Sequence, residues 1–436
     1  MSVRRAGALA ATAWIAVSAA APQSAAEKSF AAPRRADAIA RITVVCDACA
    51  WDTAGREAAV LQVILDGRTP VRLPIVRSGR ADYSVLLGAL DPGPHVVRVA
   101  PDAALSAPGL PPDAARVDAI EIRQVDETDP EYVPLSLAPV LHARPNTIGR
   151  FTDVPVFMWY EVEPDDRGVR YRYSVVFTNE DGGTPADRLM ATWGRTTDIE
   201  YVYSALVDPA GRVLEDDIQG PGHEILPFRG SREGRHPLLW VATDNNMVED
   251  RGTTTVRYAP APVAFPLRNV SREAVMDAHP WLYAVAAREL AREGKIAPGA
   301  PPGTGVIPDP RRFVYVEACG DVGGSALGFL VRVGNEWVAS DRGVPAYRIV
   351  RSGCFRAAIP LPADRTLDDV TALRVHAFER PAGNGDPAQA RAPVRLTRIN
   401  RLFTLDENHE PGPSRLRWEG LKELVPDGSP AEFAVP

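Results

Sequence analysis

Asp198 and Glu200, two acids in the run Gly194–Val207, are the residues whose types and spacing best suit chemistry. On a strand, residues i and i+2 point the same way and sit about 6.5–7 Å apart. Carboxylates at that spacing can share a cation or act as acid and base on one reacting bond. Glycoside hydrolysis uses such a pair, with carboxyls roughly 5–9.5 Å apart. Hard oxygen donors on neighbouring loops would complete a Ca²⁺ or Mg²⁺ site. Residues from His223 to Glu249 supply candidates, and the expected metal set is Asp198, Glu200, His223 and Asp244. The competing use of the two acids is plain ion pairing with Arg170, Arg172 or Arg195 on a solvated face.

The elements that must position this pair are aromatic strands. In Val169–Thr178, Tyr171, Tyr173, Val175 and Phe177 fall on one face by period two. In the third run, Ile199, Tyr201, Tyr203, Ala205 and Val207 make an apolar face, which leaves Asp198 and Glu200 together on the other. Trp159, Trp193, Tyr201 and Trp240 are candidates for a sugar-stacking platform, because flat apolar rings pair with the C–H faces of sugars. Core packing is the alternative use of those rings.

Residues 1–26 read as a secretion signal: Arg4 and Arg5 precede the small apolar run Ala6–Ala21, and small-residue cleavage sites follow. The run is too short for a stable membrane span. The 436 residues contain 41 Pro and 34 Gly and several short β-rich runs, which favours β-sandwich modules. A net charge of −7 argues against a general nucleic-acid binder, which would carry a basic stripe. The four cysteines fit an oxidising compartment. Cys319 and Cys354 are expected to pair. Cys46 and Cys49 read as a local disulfide loop, with a redox or metal role as the alternative.

The organisation expected is mainly β and multi-domain. Residues 40–130 carry short strands at sandwich spacing and read as an immunoglobulin-like sandwich. After a connector at 134–150, a central β domain covers 151–295. It includes one convincing helical stretch, Ser271–Lys295, with Ser271 as N-cap and Pro280 dividing two helices that brace a sheet. Residues 296–310 read as a Pro/Gly linker, 311–405 as a C-terminal β-sandwich with a Gly334-Asn335 hairpin, and 406–436 as a polar tail. The histidines form no His-x-His, no serine sits in a Gly-x-Ser-x-Gly elbow, and no Gly-rich phosphate loop opens a helix.

The strand Tyr171–Phe177, a Gly-rich turn, and Asp198-x-Glu200 entering another aromatic strand resemble the centre of two related families. These are the secreted necrosis-inducing (NLP-type) proteins and the vacuolar sorting protein 62 group. In the former, a Gly-His-Arg-His-Asp-Trp-Glu segment supplies divalent-metal ligands and the protein acts on membrane glycolipids. Only Asp198 and Glu200 match that segment; Gly194–Thr197 replaces its histidine-bearing part and Ile199 its tryptophan. The expectation that emerges is an exported protein whose central domain binds a glycan or other envelope component, with Ca²⁺ or Mg²⁺ as a possible partner. A hydrolase using Asp198 and Glu200 is the first alternative, and a non-catalytic structural or assembly role the second.

Overall fold

The computed structural model describes residues 25–381 and 392–436. The segment read as a secretion signal lies outside them, except for Ala25 and for Ala26, which opens the first strand. The protein is mainly β. Seven strands come first: β1 (Ala26–Ala32), β2 (Ala36–Cys46), β3 (Val60–Leu65), β4 (Val71–Pro74), β5 (Gly79–Leu90), β6 (Gly93–Pro101) and β7 (Arg116–Asp126). They form two antiparallel sheets of order β1-β6-β3-β4 and β5-β2-β7. The stretch 40–130 carries short strands as expected, β2 to β7, and β1 extends the pairing towards the N-terminus. Cys46 and Cys49 are disulfide-bonded, closing the turn that leaves β2.

The stretch expected as a connector is structured. It holds α1 (Tyr132–Ser136) and β8 (Val140–His142). The central strands are β9 (Pro155–Asp165), β10 (Gly168–Phe177), β11 (Asp198–Val207), β12 (Val213–Gln219) and β13 (Ile225–Pro227). Shorter ones follow: β14 (Arg232–Glu233), β15 (His236–Val241), β16 (Val248–Glu249), β17 (Arg257–Tyr258) and β18 (Val263–Ala264). A six-stranded sheet has the order β13-β12-β11-β10-β9-β18; a smaller sheet runs β14-β15-β8-β17, with β16 beside β15. The helices are α2 (Ala186–Trp193), α3 (Ala274–Ala278) and α4 (Trp281–Arg292). Pro280 divides the last two as expected, but Ser271 is not their cap: its hydroxyl donates to Glu317 at 2.9 Å. The helix α2 was not anticipated, and Gly194 ends it in the left-handed region (φ 61°). A Cβ there would stand 2.7 Å from Arg356 Cγ, so a glycine is required on two counts.

The C-terminal strands are β19 (Phe313–Asp321), β20 (Ser325–Val333), β21 (Glu336–Ala339), β22 (Gly353–Pro360), β23 (Val370–Glu379), β24 (Val394–Phe403), β25 (Trp418–Leu424) and β26 (Ala431–Ala434). They build two four-stranded sheets, β22-β19-β24-β25 and β21-β20-β23-β26. Gly334 and Asn335 make the two-residue turn between β20 and β21. Cys319 and Cys354 face each other across β19 and β22 and are disulfide-bonded. The expected polar tail is corrected here: β25 and β26 are edge strands of the two sheets. The expected linker also folds back, since Ile296 bridges Ile307 and Ile307 is buried.

Three apolar clusters hold these parts together. One runs without a break from the first sandwich (Ile42, Val63, Val97) into one face of the six-stranded sheet (Tyr173, Val175, Tyr203). The opposite face of that sheet (Trp159, Val176, Ile199) packs with α3 and α4 against Tyr315 and Phe403 of the C-terminal sandwich. The C-terminal sandwich has its own core. A short backbone ladder stitches the first sandwich to the central region: Leu86 N donates to Ala259 O at 2.9 Å and Ala261 N to Ser84 O at 3.0 Å. Among the described residues no helix is long and apolar enough to cross a membrane.

Candidate functional site

A β-bulge decides where the two acids point. Tyr173 of β10 lies opposite Tyr203, but the next residue, Ser174, lies opposite Tyr201, so Val202 is an extra residue in β11. The alternation of side chains reverses there. Ile199 and Tyr201 therefore do not share a face with Tyr203, Ala205 and Val207, contrary to the period-two expectation. Glu200 is paired with Val175 and Asp198 with Phe177, and both partners belong to the core shared with the first sandwich. The acids turn inward: Asp198 is 1% exposed and Glu200 9%. Solvated ion pairing is thereby ruled out for both.

Around them lies a buried polar centre. Asn246 Nδ2 donates to Asp198 Oδ2 at 3.0 Å and to Asn179 O at 3.2 Å. Asn179 Oδ1 accepts from Thr152 Oγ1 and from the backbone N of Asp153. Asp153 pairs with Arg144, and Arg195 Nη1 stands 3.6 Å from Asp198 Oδ1 while its Nε reaches Glu273. Asp198 Oδ1 and Asn246 Oδ1 have no hydrogen-bond partner, an uncommon cost for buried oxygens. Phe151, Asp153 and Asn246 have φ between 53° and 55°, a strained region for residues other than glycine. Burial, reinforced by Glu200, pushes Asp198 up to about 7. Burial likewise pushes Glu200 and Asp153 to about 7, against opposing arginines. On α4, Glu289 rises to about 8 by burial, although Trp51 Nε1 donates to it at 3.1 Å. Such a centre can hold a proton between two carboxyls near neutral pH.

It does not gather the expected cation ligands. His223 is exposed and contacts Gln219 and Asn245, each at 3.1 Å. The side chain of Asp244 is 58% exposed and pairs with Arg144. Among the described residues no group of three or more His, Cys, Asp and Glu could hold a metal ion. The Arg195 guanidinium already places positive charge beside Asp198, so the residues present fit a shared proton better than Ca²⁺ or Mg²⁺.

Nor do the four nominated rings form a platform. Trp159 is 0% exposed, within the core against the helices. Trp193 lies between Arg195 and Arg351, Tyr201 lies under Arg172, and Trp240 stacks on His142 at 4.3 Å. Sequence reasoning missed the rings that do converge. Phe157, Tyr258, His279 and Trp281, all partly exposed, line a cleft of about 230 Å³ between the first sandwich and the central region. Phe157 lies 4.3 Å from His279 and 6.4 Å from Trp281 between ring centres. The Arg77 guanidinium sits 4.6 Å from the Tyr83 ring and 4.9 Å from that of Trp281, and its buried Nε has no partner. Arg72 and Asp82 complete the edge. A sequence signal that could have found them is Trp281 directly after Pro280, an aromatic at the start of a helix that reads first as a packing anchor.

No protein-family model matches this chain. No curated protein and no solved structure matches it either.

Proposed function

We propose that this chain is an exported binding protein that takes a sugar unit of a glycan or similar envelope polymer into the aromatic cleft. The observation that carries this reading is the convergence of Phe157, Tyr258, His279 and Trp281 beside Arg77 and Asp82. Ring faces can cover the apolar face of a sugar, while guanidinium and carboxylate groups take its hydroxyls. At about 230 Å³ the cleft lies below the roughly 300–1,000 Å³ usual for whole small ligands, which suits one unit of a longer chain. The arginine-led apolar start of the sequence and the two disulfides support export. The test is calorimetric titration against a panel of soluble wall oligosaccharides. Trp281→Ala should weaken the best ligand about tenfold, an effect of about 1.4 kcal/mol, while Trp281→Tyr keeps most of the affinity. Undiminished affinity in Trp281→Ala would remove the assignment.

The alternative, a hydrolase, draws on Asp198 and Glu200, two adjacent carboxyls pushed up to about 7 by burial. On this reading Asp198→Asn and Glu200→Gln each abolish turnover of the same oligosaccharides while circular dichroism stays native. Turnover surviving both changes excludes it.

A further inference from the structure

The strand β5 serves two cavities. Asp82–Val85 line the aromatic cleft, and Leu86–Ala89 line a second, larger space of about 470 Å³ further along the contact between the first sandwich and the central region. Its walls are aliphatic: Val63, Leu65, Val71, Leu86, Leu87 and Val140. The polar groups are Arg68, Thr69, Glu233, His236 and Arg257. We propose that this cavity is a second binding site, for a small amphiphile with an aliphatic body and a single anionic head.

The aliphatic body follows from the walls and the volume, which lies within the range of small-molecule sites. The sign of the head follows from which charges are already committed. Arg257 pairs with Glu233 and donates to the carbonyls of Thr69 and Pro70. His236 has no nitrogen to spare: Nδ1 is 2.9 Å from Ala138 O and Nε2 is 2.7 Å from Asp37 Oδ1. Arg68 is different. It is exposed, donates to Ala89 O at 2.7 Å, and has no carboxylate partner among the described residues. Two nearby acids are engaged elsewhere, Asp66 with His95 and Asp91 with Arg35. One guanidinium without a direct ion pair therefore stands beside the hollow, with Asp66 the acid that feels its charge. Gly88 of the lining has φ 84°, a backbone conformation that favours glycine.

The test titrates the full chain with submicellar decanoate and, separately, with decyltrimethylammonium. Decanoate should bind at least about tenfold more tightly than the cation. Arg68→Glu should erase that preference, and Leu87→Trp, which fills the hollow, should abolish binding of both. Arg68→Glu is an exposed change, so it keeps the experiment decisive if Leu87→Trp fails to fold. Equal affinity for the two heads, decanoate binding untouched by Leu87→Trp in a folded protein, or no binding of either probe would each overturn the proposal. This site is independent of the aromatic cleft. A chain that binds decanoate but no oligosaccharide retains this site and loses the glycan reading, and the converse result does the opposite.

Discussion

Replacing Arg356 with methionine should destabilise the protein by about 3–5 kcal/mol and let the C-terminal sandwich unfold separately from the rest. Arg356 lies on β22 and is 0% exposed. Its guanidinium grips Asp277 of α3 with two bonds, at 2.7 and 2.9 Å, takes the Tyr283 hydroxyl of α4 at 2.6 Å, and pairs with Glu317 of β19. Arg401 holds Asp277 from the other side, and Ser271 and Asn400 donate to Glu317. Burial alone would lower the Arg356 pKa, but the acids outweigh it and hold the value well above the usual arginine range. Methionine fills much of the space and leaves Glu317, 1% exposed, without its cation. An unpaired buried charge is what makes such a loss large. The double variant Arg356→Met/Glu317→Leu removes both charges and should recover much of the stability, because an apolar replacement of a buried pair is often near neutral. Urea unfolding followed by two probes measures this. A single transition shifted by less than about 1 kcal/mol would refute the role given to Arg356.

Raising the pH from 5 to 8 should lower the melting temperature. Asp153, Asp198 and Glu200 titrate at about 7 in the folded protein and Glu289 at about 8, because burial penalises their charged forms. In the unfolded chain such groups titrate near about 4. Below that value both states hold the protons and the stability is fully present. As the pH rises through about 4 to 8, the unfolded chain has released protons that the folded one still holds, so stability falls. One group displaced by about three units contributes about 4 kcal/mol, and the set gives less than the simple sum because Asp198 and Glu200 titrate together. Acids held low by arginines, Asp82 and Glu215 among them, act in the opposite sense at lower pH. The optimum should therefore lie near pH 5. Asp198→Asn should flatten the alkaline decline. A melting temperature that climbs from pH 5 to pH 8 would contradict this account.

Much of the architecture was legible locally. The strands of the first sandwich follow from period two and Gly/Pro turns, and the helical pair around Pro280 from its apolar stripe. The disulfides follow from cysteine placement in β-rich runs. The edge strand β26 escaped because its partner is β23, far back in the chain, whereas β25 pairs with the preceding strand β24. In β25 nearly every side chain faces water, so there is no apolar alternation to see.

The amino-acid sequence by itself determined the mainly-β build and that two acids would sit close together on one strand, and it made the two cysteine pairs the expected ones. Only the tertiary structure decided which way those acids face. A single extra residue, Val202, reverses every side chain beyond it, and whether a strand bulges depends on the strand it pairs with. The aromatic cleft was decided in the same way. Its rings come from β9, β17, the junction between α3 and α4, and the start of α4, more than a hundred residues apart at the extremes; the folding of the central region brings them together, and Arg77, Asp82 and Tyr83 of the first sandwich close the other side. Local pattern sets what a segment can become, and long-range packing sets what its side chains can touch.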